Sequence, residues 1–315
     1  MLPAWLTPRR ATVAGLALLV AVLSLVFPSA FYFRVATLVW ISALAAVGLN
    51  LLMGLAGQVS LGHAGFVGIG AYATALGPRH LGLDVLPSLA LGLVLAGLLA
   101  LVVGRPILRL RGHYLAVATL GLGILVWLVL NSEVAITGGP DGVQVPRLVL
   151  FGWRVAGAET WYWITGLILV LGVLVALNLE ESPTGRALRA LHDSEVAAAV
   201  AGIDVARAKL AVFVVAAVYG ALAGGLLALF NRFVTPQTAD FLHSIELVTM
   251  VVIGGMGSCL GAVAGAAVLT ILPQALTVFH DYEHAVLGLM IILFMIFLRQ
   301  GIVPGLAALL ARRPA

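Results

Sequence analysis

Val35-Ala-Thr-Leu-Val-Trp-Ile-Ser-Ala-Leu-Ala-Ala-Val-Gly-Leu-Asn-Leu-Leu-Met53 runs for nineteen residues without a charge. About 20 such residues cross the ~30 Å hydrocarbon core of a bilayer as a helix. Backbone polar groups at that depth must pair within the segment or within a closed barrel. The run is continuous rather than alternating, so it predicts a helix and not a barrel strand. Working outward, similar runs lie near 11–27, 63–77, 85–103, 114–130, 161–178, 210–230, 245–257, 260–279 and 285–298. The chain is 62% hydrophobic and 10% charged, against roughly 25% charged in a soluble globular protein. The expected fold is all-α: a polytopic transmembrane helical bundle of about 8–10 spans, built as one transmembrane domain over residues 1–315.

The first run follows Arg9 and Arg10 as a signal peptide would, but Phe27-Pro-Ser-Ala30 makes a poor small-residue cleavage site, so a retained span is expected. The lone cysteine, Cys259, has no partner for a disulfide within the chain and reads as a packed small residue. A net charge of +4 without a densely basic face predicts no nucleic-acid partner. No HExxH, CxxC or second close histidine accompanies His63, so no metal site is expected.

With both termini placed on the cytoplasmic side, twelve of the seventeen Lys and Arg residues fall inside: Arg9, Arg10, Arg105, Arg109, Arg111, Arg186, Arg189, Arg207, Lys209, Arg299, Arg312 and Arg313. Arg34, Arg79, Arg147, Arg154 and Arg232 fall outside, and the positive-inside rule selects this orientation. Two connections exceed a turn. The outer one, 131–160, contains the turn-forming cluster Thr137-Gly-Gly-Pro-Asp-Gly142. The inner one, 179–209, predicts two short helices, at 185–192 and 194–202. Ser182-Pro183 starts the first, Asp193 or Ser194 caps the second, and Gly202 ends it.

Residues 48–75 place Asn50, Gln58, Ser60 and His63 among glycines at membrane depth. Glycine lets backbone unwind or helices approach closely, and polar side chains there must pair or line a hydrated route. Two readings fit: a broken or re-entrant helix beside a translocation path, or a packing seam. A fainter similarity joins Gly57–Gly65 to Gly257–Gly265, a possible internal repeat. Glu246 starts the mirrored stretch, either as a path residue or as a helix-end carboxylate at the interface.

Five segments together resemble the permeases of branched-chain amino acid ABC importers, the LivH/LivM family, and its LivM type in particular. They are Gly48-Leu-Asn-Leu-Leu-Met-Gly-Leu-Ala-Gly-Gln-Val-Ser-Leu-Gly-His-Ala-Gly-Phe66, Arg111-Gly-His-Tyr-Leu-Ala-Val-Ala-Thr-Leu120, Thr137–Gly142, Ser182-Pro-Thr-Gly-Arg-Ala-Leu-Arg-Ala-Leu191 and Val251-Val-Ile-Gly-Gly-Met-Gly-Ser258. The resemblance implies a multi-pass subunit of the bacterial cytoplasmic (inner) membrane that carries leucine, isoleucine or valine, or else urea, short amides or aromatic acids. It also implies a second, LivH-like permease, two LivG/LivF-like ATP-binding subunits that hold ATP and Mg, and a periplasmic substrate-binding protein. Glu195-Val-Ala-Ala with Gly202 resembles the loop that docks on the ATPase, with one residue more than the usual spacing. That makes 179–209 a cytoplasmic coupling loop, with Arg186, Arg189, Glu195 and Gly202 as its contact candidates.

The chain carries no GxxxxGK[ST] loop and no nucleophile elbow, so ATP hydrolysis is assigned to partner subunits and no catalytic residue is expected. An ion-coupled secondary transporter would place carboxylates in mid-span, which this sequence lacks. An enzyme site would have to be built from His80 with Asp84, or from His280, Asp281, Glu283 and His284, which read better as helix-end loops. A membrane-impermeant thiol reagent is expected to label Cys placed at Gly142 or Ala158 from outside, and Cys at Ala199 only after permeabilisation. External labelling at 199 overturns the orientation.

Overall fold

The structure, a computed structural model, describes residues 8–150, 152–275 and the positions 288, 292, 301–303 and 305. Helix α1 (Pro8–Val26) leads into α2 (Ala30–Asn50), which continues through a π-helical turn, Leu51–Leu55. Then come α3 (His63–His80), α4 (Val85–Ile107), α5 (His113–Ser132), the single turn α6 (Val134–Thr137) and strands β1 (Val143–Gln144), β2 (Val149–Leu150) and β3 (Trp153–Arg154). The chain goes on through α7 (Ala158–Glu181), α8 (Pro183–Asp193), α9 (Glu195–Val200), α10 (Val205–Asn231), β4 (Phe233–Val234), α11 (Phe241–Gly254) and α12 (Cys259–Ala275). Over the described residues each of the first nine apolar runs falls on a helix, the eighth ending at Gly254. The run at 285–298 lies outside the described residues, as do His280, Asp281, Glu283 and His284.

Among the described residues, six helices are long and apolar enough to cross a membrane: 9–26, 30–55, 85–107, 113–132, 158–181 and 205–231. Three of the helices formed by apolar runs, α3, α11 and α12, lie outside that set. Helix α3 has 18 residues but ends in Arg79 and His80 and is rich in glycine. It is walled in by α10, α4 and α5, so it needs no apolar coat. Helix α11 is short because the chain turns at Gly255 and Gly257 instead of running on to 257 as one apolar run, and α12 is described as far as Ala275. By contrast α4 and α5 turn Val94, Leu98, Val102, Val117, Leu125 and Val129 outward, as lipid-facing helices do.

Helix α2 is the axis of the bundle, buried along most of its length and packed on α7, α10, α11 and α12. Close packing elsewhere depends on the absence of side chains. A Cβ on Gly224 of α10 would lie 1.9 Å from the Val67 carbonyl oxygen of α3, and one on Gly70 would lie 1.9 Å from that of Ala221. Such small-residue crossings replace the hydrophobic drive that lipid removes. Helix α1 is drawn into the bundle by Tyr162, whose hydroxyl donates to the Val20 carbonyl at 2.5 Å.

Polar contacts sort the connections into two ends. At one end Arg9 meets Glu181 at 3.8 Å, and Arg111 meets Glu195 at 3.3 Å. At the other, β1 pairs antiparallel with β4, His80 Nε2 lies 3.3 Å from the Ile136 carbonyl, and Arg34 stacks over Phe230. Arg9 and Arg111 lie at the first end and Arg34 at the second. Gly224→Val is expected to cost more than the ~1–3 kcal/mol of ordinary overpacking, because the clash is with backbone. Gly121→Val, where a Cβ meets nothing within 4 Å, should be silent. Thermal midpoints in detergent decide between them.

Candidate functional site

The two glycine turns lie against each other at the end of the bundle that carries α8 and α9. The first follows the π turn: Gly57 adopts φ +63, the Gln58 N–H donates to the Leu52 carbonyl at 3.2 Å, and the chain stays non-helical until His63 opens α3. In the second, Gly255 and Gly257 take φ +114 and +80 before Cys259 opens α12. The Gly257 N–H donates to Asn50 Oδ1 at 2.9 Å, and a Cβ on Gly54 would sit 2.3 Å from Gly257 N. Only glycine at 54 allows this contact.

Backbone freed by the first break finds side-chain partners. Leu61 N–H donates to Thr119 Oγ1 of α5 at 3.1 Å, and Ala64 N–H donates to Ser244 Oγ of α11 at 3.0 Å. The side chains at the break do not. Asn50, Gln58, Ser60 and His63 are buried, yet Asn50 Nδ2, both amide atoms of Gln58, Ser60 Oγ and His63 Nε2 have no hydrogen-bond partner among the described residues. The Tyr72 hydroxyl is in the same condition. Each such group costs about 1–3 kcal/mol if it stays unpaired. His63 Nε2 faces α10, 3.1 Å from where a Cβ on Gly220 would stand.

Glu246 does not join this group. It lies in α11, largely exposed, with Oε2 3.2 Å from His243 Nδ1, one helical turn away. Ser244, two residues earlier, is the residue of that stretch that reaches the break. Thr119 lies inside a stretch singled out by sequence and Ser244 just before one, but nothing in a sequence shows which hydroxyl caps which distant N–H.

The inner connection forms the two expected short helices. Ser182 Oγ accepts from Gly185 N–H at 3.1 Å at the start of α8, Ser194 Oγ accepts from Ala197 N–H at 3.2 Å at the start of α9, and Gly202 at φ +85 follows the end of α9. Gly185, Leu188 and Leu191 face inward, while Arg186 and Arg189 stay exposed. The Arg186 guanidinium donates to the Glu181 carbonyl at 2.9 Å. Glu195 turns inward, paired with Arg111 and with the buried ammonium of Lys209, the fifth residue of α10. Val196 and Val200, one turn apart, are 68% and 85% exposed, an apolar pair on a loop outside the spans. Cys259 is buried as expected, and its thiol also donates to Glu180 at 3.0 Å, a bond that composition could not show.

Residues 31–295 match the family described as branched-chain amino acid transport system / permease component. The high-affinity branched-chain amino acid transport system permease protein LivM of Escherichia coli is 35% identical over 86% of this chain and 69% of its own length. LivH of the same species is 27% identical over 82% and 90%. The ribose import permease protein RbsC of Haemophilus influenzae is 27% identical over 86% of each. No solved structure matches the chain.

Breaking a buried ion pair by removing one partner costs about 3–5 kcal/mol, because the other charge stays buried. Glu195→Ala should therefore lower the thermal midpoint sharply, and adding Lys209→Met should recover most of the loss. A double variant no more stable than the single one would show that Lys209 does not depend on Glu195.

Proposed function

Because the chain belongs to the family of branched-chain amino acid transport system permease components, we propose that it is the membrane-spanning permease of an ATP-driven importer of leucine, isoleucine and valine. The observation that carries the reading is the set of unpaired polar atoms at the first glycine turn. A zwitterionic amino acid brings one group that donates and one that accepts. The neutral amide of Gln58 can pair with either, and so can the hydroxyl of Ser60. Neutral partners suit transit, since binding must favour entry without blocking release. Helix α3 starts at this turn and presents the positive end of its dipole, which favours a passing carboxylate.

The chain works beside a LivH-like permease in the bacterial cytoplasmic membrane, with both termini inside. Two ATPase subunits hold ATP and Mg, and a periplasmic binding protein delivers the amino acid to the outer face. The coupling loop, 179–209, docks on an ATPase through the exposed face of α8 and α9, with Val196 and Val200 as apolar contacts and Arg186 and Arg189 on the rim. Gly202 keeps the end of α9 open, and Glu195 fixes α9 to the bundle from the other side.

Uptake of labelled leucine by the complex in vesicles, with co-purification of the ATPase subunits, tests both halves. Gln58→Leu should leave assembly intact and slow uptake about tenfold, the factor that ~1.4 kcal/mol represents. Val196→Asp with Val200→Asp, or Gly202→Trp, should leave the permease in the membrane without its ATPase. Wild-type uptake by Gln58→Leu removes that residue from the path, and normal assembly of the loop variants removes the docking role.

A further inference from the structure

The inner loop and the broken helix meet at one polar contact. His192, in the last turn of α8, has Nδ1 3.1 Å from the Gly54 carbonyl oxygen. A carbonyl only accepts, so the Nδ1–H tautomer donates. Gly54 lies in the final turn before the break, where carbonyls lack a helical N–H partner. The imidazole also covers Gly57: a Cβ there would stand 3.3–3.5 Å from His192 Cγ, Nδ1 and Cδ2. Gly54 backs directly onto Gly257, so the side chain of one loop residue rests on the place where the two turns meet.

A second tie runs from the same loop to the other turn. Glu180, three residues before α8, accepts the thiol of Cys259, two residues past Gly257. Helix α8 is thus bonded at its far end to the first turn and, through the end of α7, to the second. A π-helical turn often marks a functional element, and here it is the piece of helix α8 holds.

We propose that His192 is a positioning residue that transmits displacement of α8 to the Gly54–Gly57 turn and so governs whether the path at Gln58 is open. The inference rests on the reading that α8 and α9 dock on an ATPase. That partner moves the loop, and the hydrogen bond to Gly54 makes the turn follow.

The side chain allows an isosteric test. Asparagine puts an N–H where His Nδ1 stands, whereas glutamine puts one near Nε2. In the full complex in vesicles, His192→Ala and His192→Gln should keep the ATPase subunits and their hydrolysis but lower leucine uptake per ATP by about tenfold, within the range that changes in a coupling network produce. His192→Asn should restore the ratio to within about twofold of wild type. A structural reporter gives the second readout: Cys at Val59, whose side chain is exposed, should react with a thiol reagent at different rates in nucleotide-free and vanadate-trapped complexes. His192→Ala should abolish that difference. An unchanged uptake-to-hydrolysis ratio in His192→Ala overturns the proposal, as does an asparagine variant no better than alanine. Loss of the ATPase from His192→Ala also overturns it, by making the residue a docking contact. If Val196→Asp with Val200→Asp still binds the ATPase, the docking reading fails and this proposal fails with it. If those variants lose the ATPase while His192→Ala pumps normally, docking stands and only transmission through His192 falls.

Discussion

A backbone N–H or C=O exposed to hydrocarbon has no water to bond, so a helix can break inside a membrane only where protein supplies the missing partners. The turn at Gly57, at the end of the bundle that carries α8 and α9, has its backbone paired by protein in this way. Leu61 and Ala64 give their N–H groups to Thr119 of α5 and Ser244 of α11, and the Gly54 carbonyl accepts from His192 of α8. Three helices distant in sequence are held around one turn because that turn would otherwise carry unpaired backbone. The positions of α5, α8 and α11 follow from this need as much as from side-chain packing.

The same constraint explains why glycine collects along α3 and the helices it touches. A helix carrying His63, Tyr72 and Thr74 cannot face lipid, so it must be enclosed. Enclosure without a hydrophobic drive between helices requires near-contact of backbones, which Gly70 and Gly224 permit. Polar content and small-residue crossings are two sides of one solution. Helix α3 is therefore the least apolar of the long helices and among the most deeply set.

Much of this was legible in the sequence, because charge-free runs and local caps are short-range signals. Ser182-Pro183 and Ser194 announced α8 and α9, and the glycines of 48–75 offered a break as one of two readings. What stayed illegible was long-range pairing. Glu195 pairs with Arg111 and Lys209, which no local spacing announces. Glu246, which the sequence offered as a path residue or a helix-end carboxylate, is largely exposed and meets His243 one helical turn away, a pairing that helical spacing does carry. His192, like Glu195, was hidden, since its partner is a backbone carbonyl 138 residues away.

The two glycine turns, similar in sequence, differ in how their polar atoms are spent. At the second turn Ser258 Oγ accepts from Gly261 N–H at 3.0 Å, the Cys259 thiol is bonded to Glu180, and Gly257 N–H is bonded to Asn50. At the first, the side chains of Gln58 and Ser60 and the outer nitrogen of His63 have no partner among the described residues. The second turn is accordingly a buttress, whose hydrogen bonds to Asn50 and Glu180 tie it to α2 and α7.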